Sequence, residues 1–196
     1  MGCLTDFLAD DIVNNCDHLA VSGIEEDVIL IPFRHFNKGG SAIDAANRML
    51  ITDLVLNSGT AGVKLEGVKQ LNRFNDEFVP NEDGVDRWRH TFEGRIMTPS
   101  TANRLAASKL TKGESYVIVI HRKYKGVNNA DAFLVLGWDS GLYVTAMTES
   151  SVDNDGAFVF TMASKDNSLE YDMPRNLLET DYQTTLDAFN LKFAQA

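Results

Sequence analysis

Ser140 stands in Gly137-Trp138-Asp139-Ser140-Gly141, the nearest approach in this sequence to a nucleophile elbow. An acyl-transfer serine needs the G-x-S-x-G spacing on a strand-to-helix turn. Here the serine falls one position late and sits between two strand-like runs, so a β-turn is the better reading. Cys16 lies two residues from His18, but no helix N-terminus or basic neighbour is at hand to stabilise a thiolate. A small hydrolase or ligand-binding β-domain using Cys16, His18 or Ser140 is therefore the second reading of the chain, and it requires the fold to bring those residues together in one pocket.

Metal and phosphate chemistry have still less to work with. His18, His35, His90 and His121 are scattered, with no H-x-H or H-x-x-x-H pair, and Cys3 and Cys16 make neither a zinc site nor a disulfide framework. Lys38-Gly39-Gly40-Ser41 lacks the first glycine and the residue order of a P-loop. Asp10-Asp11 and Asp153-Asn154-Asp155-Gly156 resemble fragments of calcium loops, yet the latter has no glutamate at the twelfth position and reads as a turn. No catalytic, cofactor or metal residue is expected. What remains is a row of charge: Arg87, Arg89, Glu93 and Arg95 share the polar face of one alternating run, and a salt-bridged inter-strand, inter-subunit or lumen-facing role suits them better than phosphate binding.

These residues must be positioned by a mainly β (α+β) chain. Trp88, His90, Phe92, Gly94 and Ile96 alternate with the charged set at a period of two, the clearest strand in the sequence. Val28 to Phe33 is a strand whose Pro32 marks an edge or an exit. Met49–Leu56 and Val63–Glu66, around the turn at Asn57–Thr60, read as a hairpin. Thr98-Pro99 opens a helix with a capping threonine, Ala102, Leu105, Ala106 and Leu110 form its apolar stripe, and Gly113 closes it, giving one short helix packed on a sheet. Tyr116–Ile120, Ala132–Leu136, Leu142–Met147 and Ala157–Met162 follow as a four-strand meander. The spacing of Val68, Leu71, Phe74 and Phe78 is helical. After Pro174, Leu177, Leu178, Tyr182, Leu186 and Phe189 form an amphipathic helix or an arm that orders on assembly. An antiparallel sandwich or barrel-like sheet is the expected architecture, divided into an acidic N-terminal arm (1–22), a β-rich body (23–174) and a C-terminal helix or arm (175–196).

Charge narrows the partners. The chain carries 18 Lys+Arg against 28 Asp+Glu, a net charge of -10 that argues against broad phosphate neutralisation. The excess is segregated: residues 1–33 carry -7 with no Lys or Arg, residues 34–148 carry +3, and residues 149–187 carry -7. Acidic ends around a basic middle fit a self-complementary subunit as well as a solvated surface. No apolar run approaches the ~18 residues that span a bilayer, and the N-terminus has neither a secretory pattern nor the Ser or Thr that myristoylation requires at Asp6, so synthesis in a reducing cytosol without membrane insertion is expected.

Several motifs recur here in a telling order. Cys16 and Val21-Ser22-Gly23-Ile24 precede Ile51–Gly59 (ITDLVLNSG) and Val63–Gly67 (VKLEG); Asp83-Gly84 leads to Trp88 and Phe92; Leu105 and Leu110 precede Tyr116–Ile120. Ala132–Thr145 (AFLVLGWDSGLYVT), Asp155–Thr161 (DGAFVFT) and Pro174 close the series. Over roughly residues 16–174 this order resembles the tail or tail-tube structural proteins of Bacteroidetes phages, crAss-like phages included. The resemblance implies a tail-tube-type sheet, extended structure over Val68–Phe78, and a non-enzymatic virion protein of the tail or portal-proximal region. It further implies assembly into rings, in tail tubes usually hexamers, with other tail or connector proteins as partners and DNA as a passing genome. A head-to-tail adaptor ring and a tail terminator are the alternatives within that class.

Overall fold

The computed structural model describes residues 11–68 and 71–194; Cys3 and Asp10 lie outside them. Among the described residues eleven strands form one mixed sheet, with two α-helices: β1 (Ile24–Pro32), β2 (Ala42–Ile43), β3 (Leu50–Asp53), β4 (Val63–Glu66), β5 (Arg73–Val79), β6 (Arg87–Ile96), α1 (Thr101–Leu110), β7 (Ser115–Arg122), β8 (Phe133–Leu136), β9 (Leu142–Glu149), β10 (Phe158–Ala163), β11 (Arg175–Leu177) and α2 (Tyr182–Asn190). The chain is mainly β, as expected. The antiparallel expectation gives way to a mixed sheet, because β11 runs parallel to β3, and the sheet does not close.

β7 is the hub. It pairs with β1 along one edge, while β8 and β9 lie end to end along the other, Ile118 opposite Leu136 and Tyr116 opposite Leu142. The two branches diverge where the chain leaves β7 between those registers, at the loop Gly137–Gly141. One branch runs β8-β11-β3-β2, the other β9-β10-β6-β5, and β4 adds to β1. The expected meander is thus retained in the β7–β8 and β9–β10 pairs but not between β8 and β9.

Central strands rich in β-branched residues are buried on both faces, so a single strand feeds two cores. Ile29, Ile31, Val117, Val119, Phe133 and Val135 face a first core with Ile51, Leu177, Phe189 and Phe193. Val28, Leu30, Ile118, Ile120, Leu134 and Leu136 face a second with Phe92, Phe160 and Met162. β1 pairs on both sides, so Pro32 marks the strand's exit and not an edge.

Other expectations are corrected by non-local partners. Met49–Leu56 and Val63–Glu66 form no hairpin: β3 lies between β2 and β11, and β4 pairs with β1. Val68–Phe78 forms no helix: Val68 lies in a bend, its carbonyl accepting from Leu71 N–H at 3.3 Å, and Arg73–Val79 is a strand paired to β6, because cross-strand contacts such as Phe74 opposite Phe92 outweigh a helical period. Ser100, not Thr98, caps α1, its hydroxyl accepting from Asn103 N–H at 3.2 Å. That helix meets the sheet through few residues: it buries Ala107 and packs Leu110 against the second core, but leaves Leu105 57% exposed. The segment after Pro174 is no free arm, since β11 sits inside the sheet and α2 lies on the first core.

Candidate functional site

The loop Gly137–Gly141 gathers most of the buried charge. Gly137 (φ 74°) and Gly141 (φ 75°) take left-handed backbone conformations, and a Cβ on Gly137 would stand 2.5 Å from Leu142 Cδ1. Between them Trp138 turns into the first core, its ring 4.9 Å from that of Phe36. Glu170, fully buried, accepts from Asp139 N–H at 2.7 Å and Ser140 N–H at 3.0 Å, one bond to each carboxylate oxygen. His90, reaching in from β6, accepts from Gly137 N–H at Nδ1 (3.2 Å) and donates from Nε2 to Asp172 O at 2.9 Å. These bonds define the neutral Nε2–H tautomer.

Asp139 turns its carboxylate outward to Lys38 Nζ (2.8 Å) and Arg175 Nη1 (3.5 Å), and accepts from Tyr171 N–H at 3.3 Å. Arg175 also bridges Asp172 (3.2 Å) and donates from Nε to Arg48 O (3.1 Å). Burial pushes Glu170 up to about 7, against its two backbone donors and with repulsion from Asp139. Burial lowers His90 to about 4. Burial also raises Asp139, but Lys38, Arg175 and the Tyr171 N–H outweigh it and hold its carboxyl below the ordinary range.

A carboxyl that titrates near neutrality beside a neutral imidazole is what general acid–base chemistry asks for. Here both groups are closed to a substrate: both oxygens of Glu170 and both nitrogens of His90 are bonded to protein, and neither residue exceeds 2% exposure. The cluster braces the point where the two sheet branches diverge. Ser140 touches it through its backbone and lies on an open cleft of about 580 Å³ with Arg87, Asp166 and Tyr171. Cys16 and His18 sit on the short 3-10 turn of the exposed N-terminal segment, and no hydrogen bond between described residues joins them to Ser140. His35 lies on the turn after β1. Among the described residues no group of His, Cys, Asp and Glu is arranged to hold a metal.

Three side chains of the charged row on β6 find partners within the chain. Arg87 lies 3.8 Å over the Tyr171 ring, Arg89 pairs with Asp166, and Glu93 takes Arg73 of β5 directly opposite. Arg95 donates from its backbone N–H to Asn72 Oδ1 at 3.1 Å. Sequence reasoning missed Glu170, Arg175 and Lys38, which lie in polar stretches that carry no periodic signal.

A second titrating site is His121, stacked 4.6 Å from Phe133 and held by Lys125 Nζ at 2.7 Å; burial first and Lys125 second lower it to about 4. Since the folded state keeps His90 and His121 neutral, each adds stability that is whole above the ordinary histidine pKa of 6.5 and is lost as pH falls from 6.5 toward 4. Glu170 runs the other way: its contribution is whole below 4.5 and is lost as pH rises through 7. His121→Phe fits the surrounding Phe133, Tyr182 and Phe189 rings. It is expected to reduce the stability lost between pH 7 and pH 5.5 by about 1 kcal/mol. Urea midpoints of both proteins at the two pH values measure this, and an unchanged pH dependence would count against it.

No helix among the described residues is long and apolar enough to cross a membrane. Comparison with known protein families, with curated proteins and with solved structures found no match to this chain.

Proposed function

We propose that this chain is a non-enzymatic structural subunit of a bacteriophage virion, assembling into rings of the tail or tail tube that form a conduit for the genome. The motif order in the sequence supports this reading, and one structural observation carries it: among the described residues the sheet has three open edge strands, β2, which pairs only with β3, β4, which pairs only with β1, and β5, which pairs only with β6. Edges of this kind are liabilities in a monomer and become joints when copies close around a ring. In such an assembly the open sheet is completed into a tail-tube-type sandwich or barrel by its neighbours. The net charge of -10 keeps passing DNA from adhering to the conduit.

Partners are further copies of the chain and other tail or connector proteins, in the virion. An adaptor ring or a terminator would use the same joints and is separated from a tube subunit by its position in a map of the particle. Electron microscopy of the purified chain is expected to show rings or stacked tubes. A strictly monomeric species in light scattering at high protein concentration would overturn the proposal.

A further inference from the structure

An open groove of about 330 Å³ lies between β4 and α1, where the second core reaches the surface. Leu30, Leu65, Ile96, Leu110 and Phe160 form its apolar floor, and Val63, 55% exposed, and Ala106 stand on its rims. Its β4 side is an open sheet edge, so the groove offers backbone hydrogen-bonding groups and an apolar floor together, the combination that an added strand uses. Elsewhere the same chain holds an unpartnered segment that matches it. Residues 11–23 form no regular structure apart from the turn at Cys16–His18, which Asn15 and Leu19 flank in extended conformation, and they expose Ile12 (84%), Val13 (81%), Leu19 (62%) and Val21 (54%). Isolated exposed apolar residues are ordinary; four within one segment are not. Leu19 and Val21 alternate as a strand's inward face requires.

Charge points the same way. Residues 1–22 carry four aspartates and no Lys or Arg, whereas α1 and its flanks over residues 99–113 carry Arg104, Lys109 and Lys112 and no acid. Arg104 is held by Glu149 and Lys64 by Asp27; Glu66 is the acid in the groove's lining, and Lys109 and Lys112, both exposed and outside that lining, outnumber it on the α1 side.

We infer that the N-terminal arm of a second copy docks as an added strand on β4, with its apolar residues in the groove between β4 and α1. Residues 11–22 of the chain's own arm lie at the surface ahead of Gly23, nearly all of them exposed, and a head-to-tail arm-to-groove contact repeats from copy to copy without using itself up. This inference rests on the self-assembly proposed above and names one of its joints.

Complementation tests it. One variant lacks residues 1–22 and keeps the groove; the other keeps the arm and carries Val63→Glu with Ala106→Glu, two exposed positions chosen so that the fold survives, as thermal unfolding would verify. In sedimentation the full chain is expected to associate, each variant alone to weaken self-association at least tenfold, and their mixture to form a one-to-one dimer that dissociates when salt rises from 0.1 to 0.5 M. Association of the full chain without a dimer from the mixture overturns the arm contact while leaving ring assembly standing. A dimer from the mixture beside a monomeric full chain assigns the groove to the chain's own arm and also overturns it. A monomeric full chain with no mixed dimer removes both readings.

Discussion

Arg175→Met is expected to destabilise the fold by about 3–5 kcal/mol, the cost of breaking a buried ion pair from one side. Arg175 is 7% exposed, and its guanidinium spans Asp139, Asp172 and the carbonyl of Arg48. Methionine keeps much of the packing volume, so the loss reports the carboxylates left without their counter-charge. Lys38 still compensates Asp139, which places the larger share of the cost on Asp172 and on the start of β11. Lysine at the same position restores charge but not the planar fork that reaches three acceptors, and an intermediate loss is expected. Asp172→Asn in the same chain should shrink the effect of Arg175→Met, because one orphaned charge is gone. Guanidinium or urea midpoints of five proteins measure this: the parent, Arg175→Met, Arg175→Lys, Asp172→Asn and the Arg175→Met, Asp172→Asn double variant. A loss under about 1 kcal/mol for Arg175→Met would show that water reaches the site and that the cluster does not brace the loop.

The strength of that brace is tied to topology. β8 and β9 occupy one edge of β7 in succession, and the chain leaves that edge for five residues between them. Backbone N–H groups that leave a ladder in the interior need other acceptors. Glu170 and His90 supply three of them, to Asp139, Ser140 and Gly137. The polar cluster is therefore the hydrogen-bond replacement for a stretch of missing sheet, and its perturbed acid–base groups follow from burial in that role.

Legibility in the sequence tracks how local the cause is. The alternation in Arg87–Ile96, the β-branched runs of β1 and β7 and the apolar run of β8 are written in neighbouring residues, and the strands appear where those patterns lie. Pairing is different: β3 finds β11 more than a hundred residues later, a choice made by the first core and not by the turn at Asn57–Thr60. α1 shows the same limit, because its apolar stripe is readable while the direction it faces is set by an open sheet edge. Glu170 and Arg175 had no local signal at all, since a buried charge is specified by partners such as Asp139 and Asp172 that the fold assembles.

The C-terminal segment left helix and arm both open, and Phe189 separates a helix intrinsic to the subunit from one ordered only by assembly. Asp181 caps α2 by accepting from Thr184 N–H at 2.8 Å, and Thr185 ties the first turn down by donating to Asp181 O. Phe189, 3% exposed, meets the rings of Phe133 at 5.4 Å, His121 at 6.0 Å and Phe193 at 6.4 Å between centroids. Phe189→Ala is expected to cost the isolated subunit about 3–5 kcal/mol, through lost burial and the cavity left against Phe133. The same substitution should bring His121 nearer to solvent, raise its pKa toward the ordinary value, and so remove part of the acid sensitivity described above. A helix that merely awaited a neighbour would leave monomer stability unchanged within about 0.5 kcal/mol on this substitution. That result would return residues 182–190 to the class of assembly arms, whereas a large loss assigns α2 to the first core and leaves the N-terminal segment as the exposed apolar arm of the described chain.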